Sequence, residues 1–250
     1  MERIGFFLIA VAEIALFVTT LRILKRSRKV KVGDGWILVI LLVGLVYDNL
    51  MLAFGTTIGE GDLLRILSQP RYITHALFTP TLILFAALSA DRMNIPGYRS
   101  RERLTFWGAV TFFAIWYGLF ADMAGPHLAP VMDDGLLRYA PDGKQLPPLA
   151  VITTVVGLLV IGGAMQRYGR WPWIFVASTT MLIIALFWVD NGLLSNIGEL
   201  ILLTSMVATA AEATRRLALE KAARKEHALG ARRSRRPAAD ASSASSSTSA

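Results

Sequence analysis

Ionisable side chains inside long apolar stretches are the residues of this 250-residue sequence whose types could support chemistry. Asp48 lies in one such stretch. In the next stretch Arg71 and His75 are four residues apart, a spacing that places them on one face of a helix. An ionisable group at hydrocarbon depth costs several kcal/mol, so each one is a functional hypothesis. Three polar side chains accompany them: Tyr47, Asn49 and Thr79.

Two later stretches add Tyr117 and Glu199, and a candidate ligand-binding site follows from the whole set. It comprises Tyr47, Asp48, Asn49, Arg71, His75, Thr79, Tyr117 and Glu199. The candidates for a catalytic role are Asp48, His75 and Glu199, because a carboxylic acid kept protonated by apolar surroundings can act as a general acid. We expect Asp48 to pair with Arg71 or His75, and Glu199 to approach from the last helix. A purely structural network between helices predicts the same contacts.

The depth of these groups favours one functional class. They fall in the outer halves of their segments, while the inner halves are mainly Leu, Ile, Val, Phe and Ala. This predicts a pocket in the outer half that binds a small amphipathic or lipid-like ligand. The alternative is a membrane-embedded enzyme that acts on a lipid or isoprenoid substrate, as terpene cyclases of membranes do. A transporter, which needs polar groups at all depths, and a structural protein are further alternatives.

Several chemistries are excluded or disfavoured by what the sequence lacks. The chain has no Cys, which excludes disulfides, thiolate nucleophiles and iron–sulfur clusters. Its three histidines, His75, His127 and His227, never occur at i, i+4, so we predict no metal site. No Gly-x-Ser-x-Gly nucleophile elbow and no phosphate-binding loop occur.

The composition predicts a multi-pass protein of the cell membrane. Hydrophobic residues make up 54% of the chain and charged residues 18%, against about 25% charged in soluble domains. A membrane-spanning helix needs about 20 apolar residues. Seven segments qualify, at 4–23, 36–56, 72–90, 104–123, 148–166, 172–189 and 193–212. The predicted fold is therefore all-α, a single bundle of seven transmembrane helices that occupies residues 1–213.

The distribution of Lys and Arg predicts the orientation of this bundle. Alternate connections, counted together with the C-terminal tail, carry 21 of the 26 basic residues, and the opposite side carries five. Basic residues accumulate on the cytoplasmic side of membrane proteins. The N-terminus is therefore predicted to lie outside and the C-terminus in the cytoplasm.

Three segments outside the spans receive their own predictions. The long external connection at 124–147 is expected to be a capping loop, with a ligand lid as the alternative. Residues 214–236 carry a net charge of +7 and are predicted to form a basic juxtamembrane helix that binds anionic lipid head groups. No aromatic residues are interleaved with these charges, so nucleic acid is not an expected partner. The Ala/Ser-rich tail at 237–250 is predicted to be disordered.

One stretch resembles the third helix of microbial rhodopsins. Arg71-Tyr72 is followed seven residues later by Thr79-Pro80, and the number of spans, the length and the outside N-terminus also agree. In that family an Asp follows the Arg by three, and here that position is Thr74. The family attaches retinal to a Lys in the last helix, whereas no predicted span of this chain contains Lys. A retinal Schiff base is therefore excluded, and we predict no cofactor.

Overall fold

A computed structural model describes residues 2–27, 35–123, 128–133, 135–142, 148–188 and 191–244 of the chain. Eight helices and one two-stranded antiparallel sheet make up these residues. The helices are α1 Glu2–Ser27, α2 Gly35–Ile58, α3 Asp62–Phe78, α4 Thr81–Arg92, α5 Arg101–Met123, α6 Leu149–Gly169, α7 Trp173–Phe187 and α8 Gly192–Ala244. The strands are β1 Leu128–Asp133 and β2 Leu136–Pro141.

Most of the helices have the length and apolarity of membrane spans. Among the residues that the structure describes, six apolar helical segments, with α3 and α4 counted together as one, are long enough to cross a membrane. An essentially all-α, multi-pass membrane architecture is therefore confirmed at this level. The seventh apolar segment, α7, has 15 residues and extends for about 22 Å, less than the roughly 30 Å of hydrocarbon. The predicted number of seven spans, and their orientation, stay predictions.

The helices pack in sequence order around a closed bundle. α1 contacts both α2 and α8, α2 contacts α3, and α5 contacts α3, α4 and α6. α7 lies between α6 and α8. α6 and α7 approach each other closely at Gly162, where a Cβ would lie 2.6 Å from the backbone nitrogen of Phe175 in α7. Only a residue without a side chain permits this distance between two helices.

The third predicted span is not one helix, and it starts earlier than expected. The span predicted at 72–90 lies within a longer apolar segment that is long enough to cross a membrane: α3 begins at Asp62, and a turn at Thr79–Pro80 separates it from α4. The cause is Pro80, which has no amide hydrogen to donate and whose ring crowds the preceding turn. Backbone hydrogen bonding resumes after the turn, where the Leu82 and Ile83 amides donate to the carbonyls of Thr79 and Pro80 respectively.

The two halves of this interrupted span have different neighbours. α3 packs mainly against α2, α5 and the hairpin, whereas α4 packs against α5, α6, α8 and α2. We call the half of the bundle that contains α3 and the hairpin the outer half, and the half that contains α4 the inner half. The largest apolar core lies around α4 and includes Ile83, Phe85, Leu158, Ile161 and Leu203, all almost fully buried. The inner half is therefore densely packed, and the outer half is more open.

The long connection at 124–147 contains a β-hairpin that caps the outer ends of α2 and α3. The Tyr72 hydroxyl donates a hydrogen bond of 2.8 Å to the carbonyl of Tyr139. The Thr56 hydroxyl donates to the carbonyl of Gly135 at 3.0 Å. Leu137 is buried against α2 and α3. The predicted cap is therefore present, as two strands rather than as an irregular loop.

The C-terminal helix continues well past the bundle. α8 is helical without interruption to Ala244, and no side chain between Ala213 and His227 is buried. The basic segment 214–236 is thus a continuation of the last apolar helix. Its binding to anionic lipid stays a prediction. The predicted disorder of 237–250 also stays a prediction: α8 includes residues 237–244, and residues 245–250 lie outside the described part of the chain.

Candidate functional site

A narrow crevice between α2 and α3 brings the predicted charged residues together. Each helix contributes four residues at i, i+3, i+4 and i+7, which is one face of a helix. Those residues are Leu41, Gly44, Leu45 and Asp48 from α2, and Arg71, Thr74, His75 and Phe78 from α3. The sequence order puts Asp48 and Arg71 at one end and the apolar residues at the other. The crevice therefore has a polar end and an apolar end.

The polar end is held by an ion pair between Asp48 and Arg71. Nε of Arg71 donates to Oδ1 of Asp48, as the sequence predicts. The Arg71 side chain is only 10% exposed and that of Asp48 20% exposed, so the pair is largely shielded by protein. The guanidinium also lies 5.8 Å from the centre of the Tyr72 ring. Since the Tyr72 hydroxyl donates to the hairpin, the ion pair lies beside a side chain that contacts the cap.

His75 and Glu199 form a second, looser pair beside the crevice. Nδ1 of His75 lies 4.0 Å from Oε1 of Glu199, which brings α8 to the site as predicted. The distance is too long for a hydrogen bond and short enough for a strong charge interaction if the imidazole is protonated. The His75 side chain is 44% exposed and that of Glu199 15%. His75 is therefore the most accessible charged group of the site.

A third carboxyl group, that of Glu13, lies behind the crevice. Glu13 is completely buried, and both of its carboxylate oxygens accept hydrogen bonds of 3.1 Å from Nδ2 of Asn49. The same Nδ2 donates to the carbonyl of Leu45 at 3.2 Å. Asn49 thus faces α1, on a different side of α2 from Asp48. Glu13 and Asn49 therefore form a buried polar pair between α1 and α2, separate from the crevice.

The structure divides the predicted site residues into two sets. Asp48, Arg71 and His75 line the crevice and Glu199 adjoins it, while Asn49 belongs to the pair behind it. The remaining three lie elsewhere: Tyr47, Thr79 and Tyr117. The Tyr47 hydroxyl donates to the carbonyl of Leu67 at 2.6 Å, and the Thr79 hydroxyl is buried at the helix break. Whether any of the eight binds a ligand stays a prediction.

Some participants were missed by the sequence interpretation. Glu13 is an ionisable residue of the first apolar segment, but no partner near it in the sequence indicated its role. Thr74 and Phe78 could have been found as the i+3 and i+7 positions from Arg71. Gly44 could not be recognised from the sequence, because its contribution is the space that its missing side chain leaves beside Thr74.

The size of the crevice limits what it can enclose. Its empty volume is about 220 Å³, a figure that includes space open to the outside, and its enclosed part holds about one water molecule. A complete drug-sized ligand occupies an enclosed pocket of at least about 300 Å³. The crevice can therefore enclose a small polar head group, with any apolar chain lying along the open face of α2 and α3.

Metal binding finds no support among the described residues. In that part of the chain no three His, Asp or Glu side chains are placed to hold a metal ion together. His227 lies on the basic part of α8, far along the chain from the bundle, and His127 is outside the described residues. The prediction of no metal site thus stays a prediction for the whole chain.

Comparison with known proteins gives no family assignment. No family model matches the chain, and no curated protein matches it either. Function must therefore be inferred from the site itself.

Proposed function

We propose that this is a seven-span protein of the cell membrane that binds a small amphipathic or lipid-like ligand at the crevice between α2 and α3. The observation that carries the proposal is the arrangement of the lining. Asp48, Arg71 and His75 provide charged and hydrogen-bonding groups, and Leu41 and Phe78 provide an adjoining apolar surface. A ligand with one polar end and one apolar end matches both parts.

The packing of the bundle supports access to this crevice. Only three of the 17 residues of α3 are buried, against seven of the 12 residues of α4, so the crevice lies beside the less buried half of this span. His75 is nearly half exposed although it lies in an apolar stretch. In a bilayer such an opening faces lipid or the membrane boundary, where an amphipathic molecule concentrates. The ligand would enter sideways, with its head group at His75.

A membrane-embedded enzyme is the second candidate, and one observation favours it. Glu199 is a largely buried carboxyl group whose oxygen lies 4.0 Å from the imidazole of His75. A carboxyl group paired with an accessible imidazole can donate and accept protons at a bound substrate. Turnover of added lipid or isoprenoid substrates by the purified protein would favour this candidate over simple binding.

The test is to identify what co-purifies with the protein and whether it depends on the crevice. Wild-type protein in lipid nanodiscs would be extracted and analysed by mass spectrometry beside His75→Trp, whose larger ring fills the opening. The His75 side chain is 44% exposed, so this variant is expected to fold. The matched control is His227→Trp, on the exposed part of α8.

We expect one amphipathic compound to be enriched with the wild-type and His227→Trp proteins and to fall at least tenfold with His75→Trp. An identical lipid profile for all three proteins, with all three equally folded, would refute a ligand at this crevice.

A further inference from the structure

The carboxyl group of Glu13 is buried between α1 and α2 against a neutral partner. Glu13 has no exposed surface, and both of its carboxyl oxygens lie 3.1 Å from Nδ2 of Asn49. In the described part of the chain, this carboxyl group is thus paired with an amide and not with a Lys or Arg side chain. The charged groups that act on it from the helices packed against α1 are Asp48 on α2 and Glu199 on α8, and both are acidic. A carboxylate in such a place requires a cation or a proton.

The hydrogen bonds of this pair lack one donor. Nδ2 of Asn49 carries two hydrogens, and three oxygens lie within hydrogen-bond distance of it, two of Glu13 and the carbonyl of Leu45 at 3.2 Å. Oδ1 of the same amide is buried and accepts no hydrogen bond from the described residues. A buried acceptor without a donor is costly. The pair therefore has more acceptors than donors, and the O–H of a carboxylic acid would add the missing donor.

We propose that Glu13 and Asn49 form a proton-binding site between α1 and α2, in which Glu13 holds one proton as a carboxylic acid at neutral pH. The acid O–H would donate to Oδ1 of Asn49, while Nδ2 donates to the second carboxyl oxygen. The proton comes from bulk water and returns to it. Since neither residue has exposed surface, this exchange requires α1 and α2 to separate, so the contact between the two helices depends on the proton. The site is separate from the crevice and needs no ligand there.

Infrared spectroscopy tests for the proton directly, because the carbonyl stretch of a carboxylic acid is separate from the bands of a carboxylate. Wild-type protein would be compared with Glu13→Gln at neutral pH, where a glutamic acid with the ordinary pKa of about 4.3 is ionised. An alkyl glycoside detergent is used because it has no ester carbonyl. Glu13→Gln is expected to fold, since its neutral side chain can pair with the Asn49 amide. Glu220→Gln is the matched control, because Glu220 pairs with Arg224 on the exposed part of α8.

We expect the band of one carboxylic acid in the wild-type and Glu220→Gln proteins and its loss in Glu13→Gln. Any other protonated acid contributes equally to all three spectra and cancels in the differences. Asn49→Leu keeps the acid but removes its partner, and it should shift the band to higher frequency as the hydrogen bonds are lost. Equal acid bands in the wild type and Glu13→Gln would overturn the proposal. An unshifted band in Asn49→Leu would overturn it as well, and this comparison decides the matter even if Glu13→Gln does not fold.

The pH dependence of unfolding tests whether the fold holds this proton. The unfolded chain loses it above the ordinary carboxyl pKa of about 4.3, while the folded protein keeps it. Stability falls with rising pH wherever the folded state binds more protons than the unfolded state. The folding equilibrium constant of the wild type should therefore fall, relative to that of Glu13→Gln, by up to about tenfold for each pH unit above this value. Parallel pH profiles of the two proteins would mean that folding binds no proton at Glu13 and would refute the site.

Discussion

The ion pair between Asp48 and Arg71 allows a quantitative test, because removing either partner leaves a different charge behind. The side chains are 20% and 10% exposed, so both are mostly desolvated. Breaking a buried ion pair by removing one partner costs about 3–5 kcal/mol, whereas replacing both partners with apolar residues is often neutral. The three variants needed are Arg71→Met, Asp48→Leu and the double substitution.

The groups around the ion pair predict which single variant loses more of its free energy of unfolding. Arg71→Met leaves the Asp48 carboxylate without its cation. Asp48→Leu leaves the Arg71 guanidinium without its carboxylate, yet still beside the Tyr72 ring, whose face stabilises a cation. We therefore expect Arg71→Met to lie near 5 kcal/mol and Asp48→Leu near 3 kcal/mol, as order-of-magnitude values within the range for broken buried pairs.

Unfolding of the purified variants would measure these differences. For a chain of this size about 1 kcal/mol shifts the melting temperature by roughly 2–4 °C, so Arg71→Met should melt about 10–20 °C below wild type. The double variant should recover to within about 1.5 kcal/mol of wild type, since it buries no unpaired charge. Titration with a denaturing detergent in lipid micelles would measure the stability ranking of the three variants independently.

Two results would refute this reasoning. If the double variant loses as much stability as the two single variants added together, the side chains are not coupled as an ion pair. If Asp48→Leu is clearly worse than Arg71→Met, the Tyr72 ring does not stabilise the unpaired guanidinium.

Three further predictions concern the rest of the fold. Gly162→Ala should lower the melting temperature, because its Cβ would collide with the α7 backbone, whereas Gly163→Ala meets only ordinary contacts and should be nearly neutral in the same thermal assay. Removal of 237–250 should leave expression level and melting temperature unchanged, since that tail has no apolar surface to bury; a loss of either would show that it docks. Reporter fusions at Arg101 should read cytoplasmic and fusions within 130–145 external, and a cytoplasmic signal from the latter would overturn the orientation.

The pairing of Asp48 with Arg71 was predictable for simple reasons. Each residue is the charged group of an apolar segment, and only a short connection separates the two segments, so the helices are neighbours. The approach of Glu199 followed from the tendency of the last helix to close a bundle. The involvement of Glu13 was not predictable, because it depends on the rotation of α2 that turns Asn49 toward α1.

The hairpin and the helix break left signals in the sequence that were open to interpretation. The dipeptide Asp134-Gly135, followed directly by Leu136-Leu137, is a hairpin signal that the prediction of a capping loop did not use. Pro80 marked the break, but proline is common in membrane helices and does not always interrupt them. Whether a proline interrupts such a helix depends on how the two parts pack. Here α3 and α4 pack against different neighbours, and this tertiary packing is not evident from the sequence.

The interruption at Thr79–Pro80 has a mechanical consequence. Because α4 is fixed by α6 and α8 while α3 is held mainly by α2, α5 and the hairpin, the outer segment can tilt about this joint without moving the inner one. Spin labels on α3 and on α4 would show this as a change of distance to α8 for α3 alone when the co-purifying ligand is added. Equal changes on both would mean that the span moves as a rigid rod. A joint at this position would confine movement of the span to the half that carries Arg71 and His75 and that contacts the hairpin.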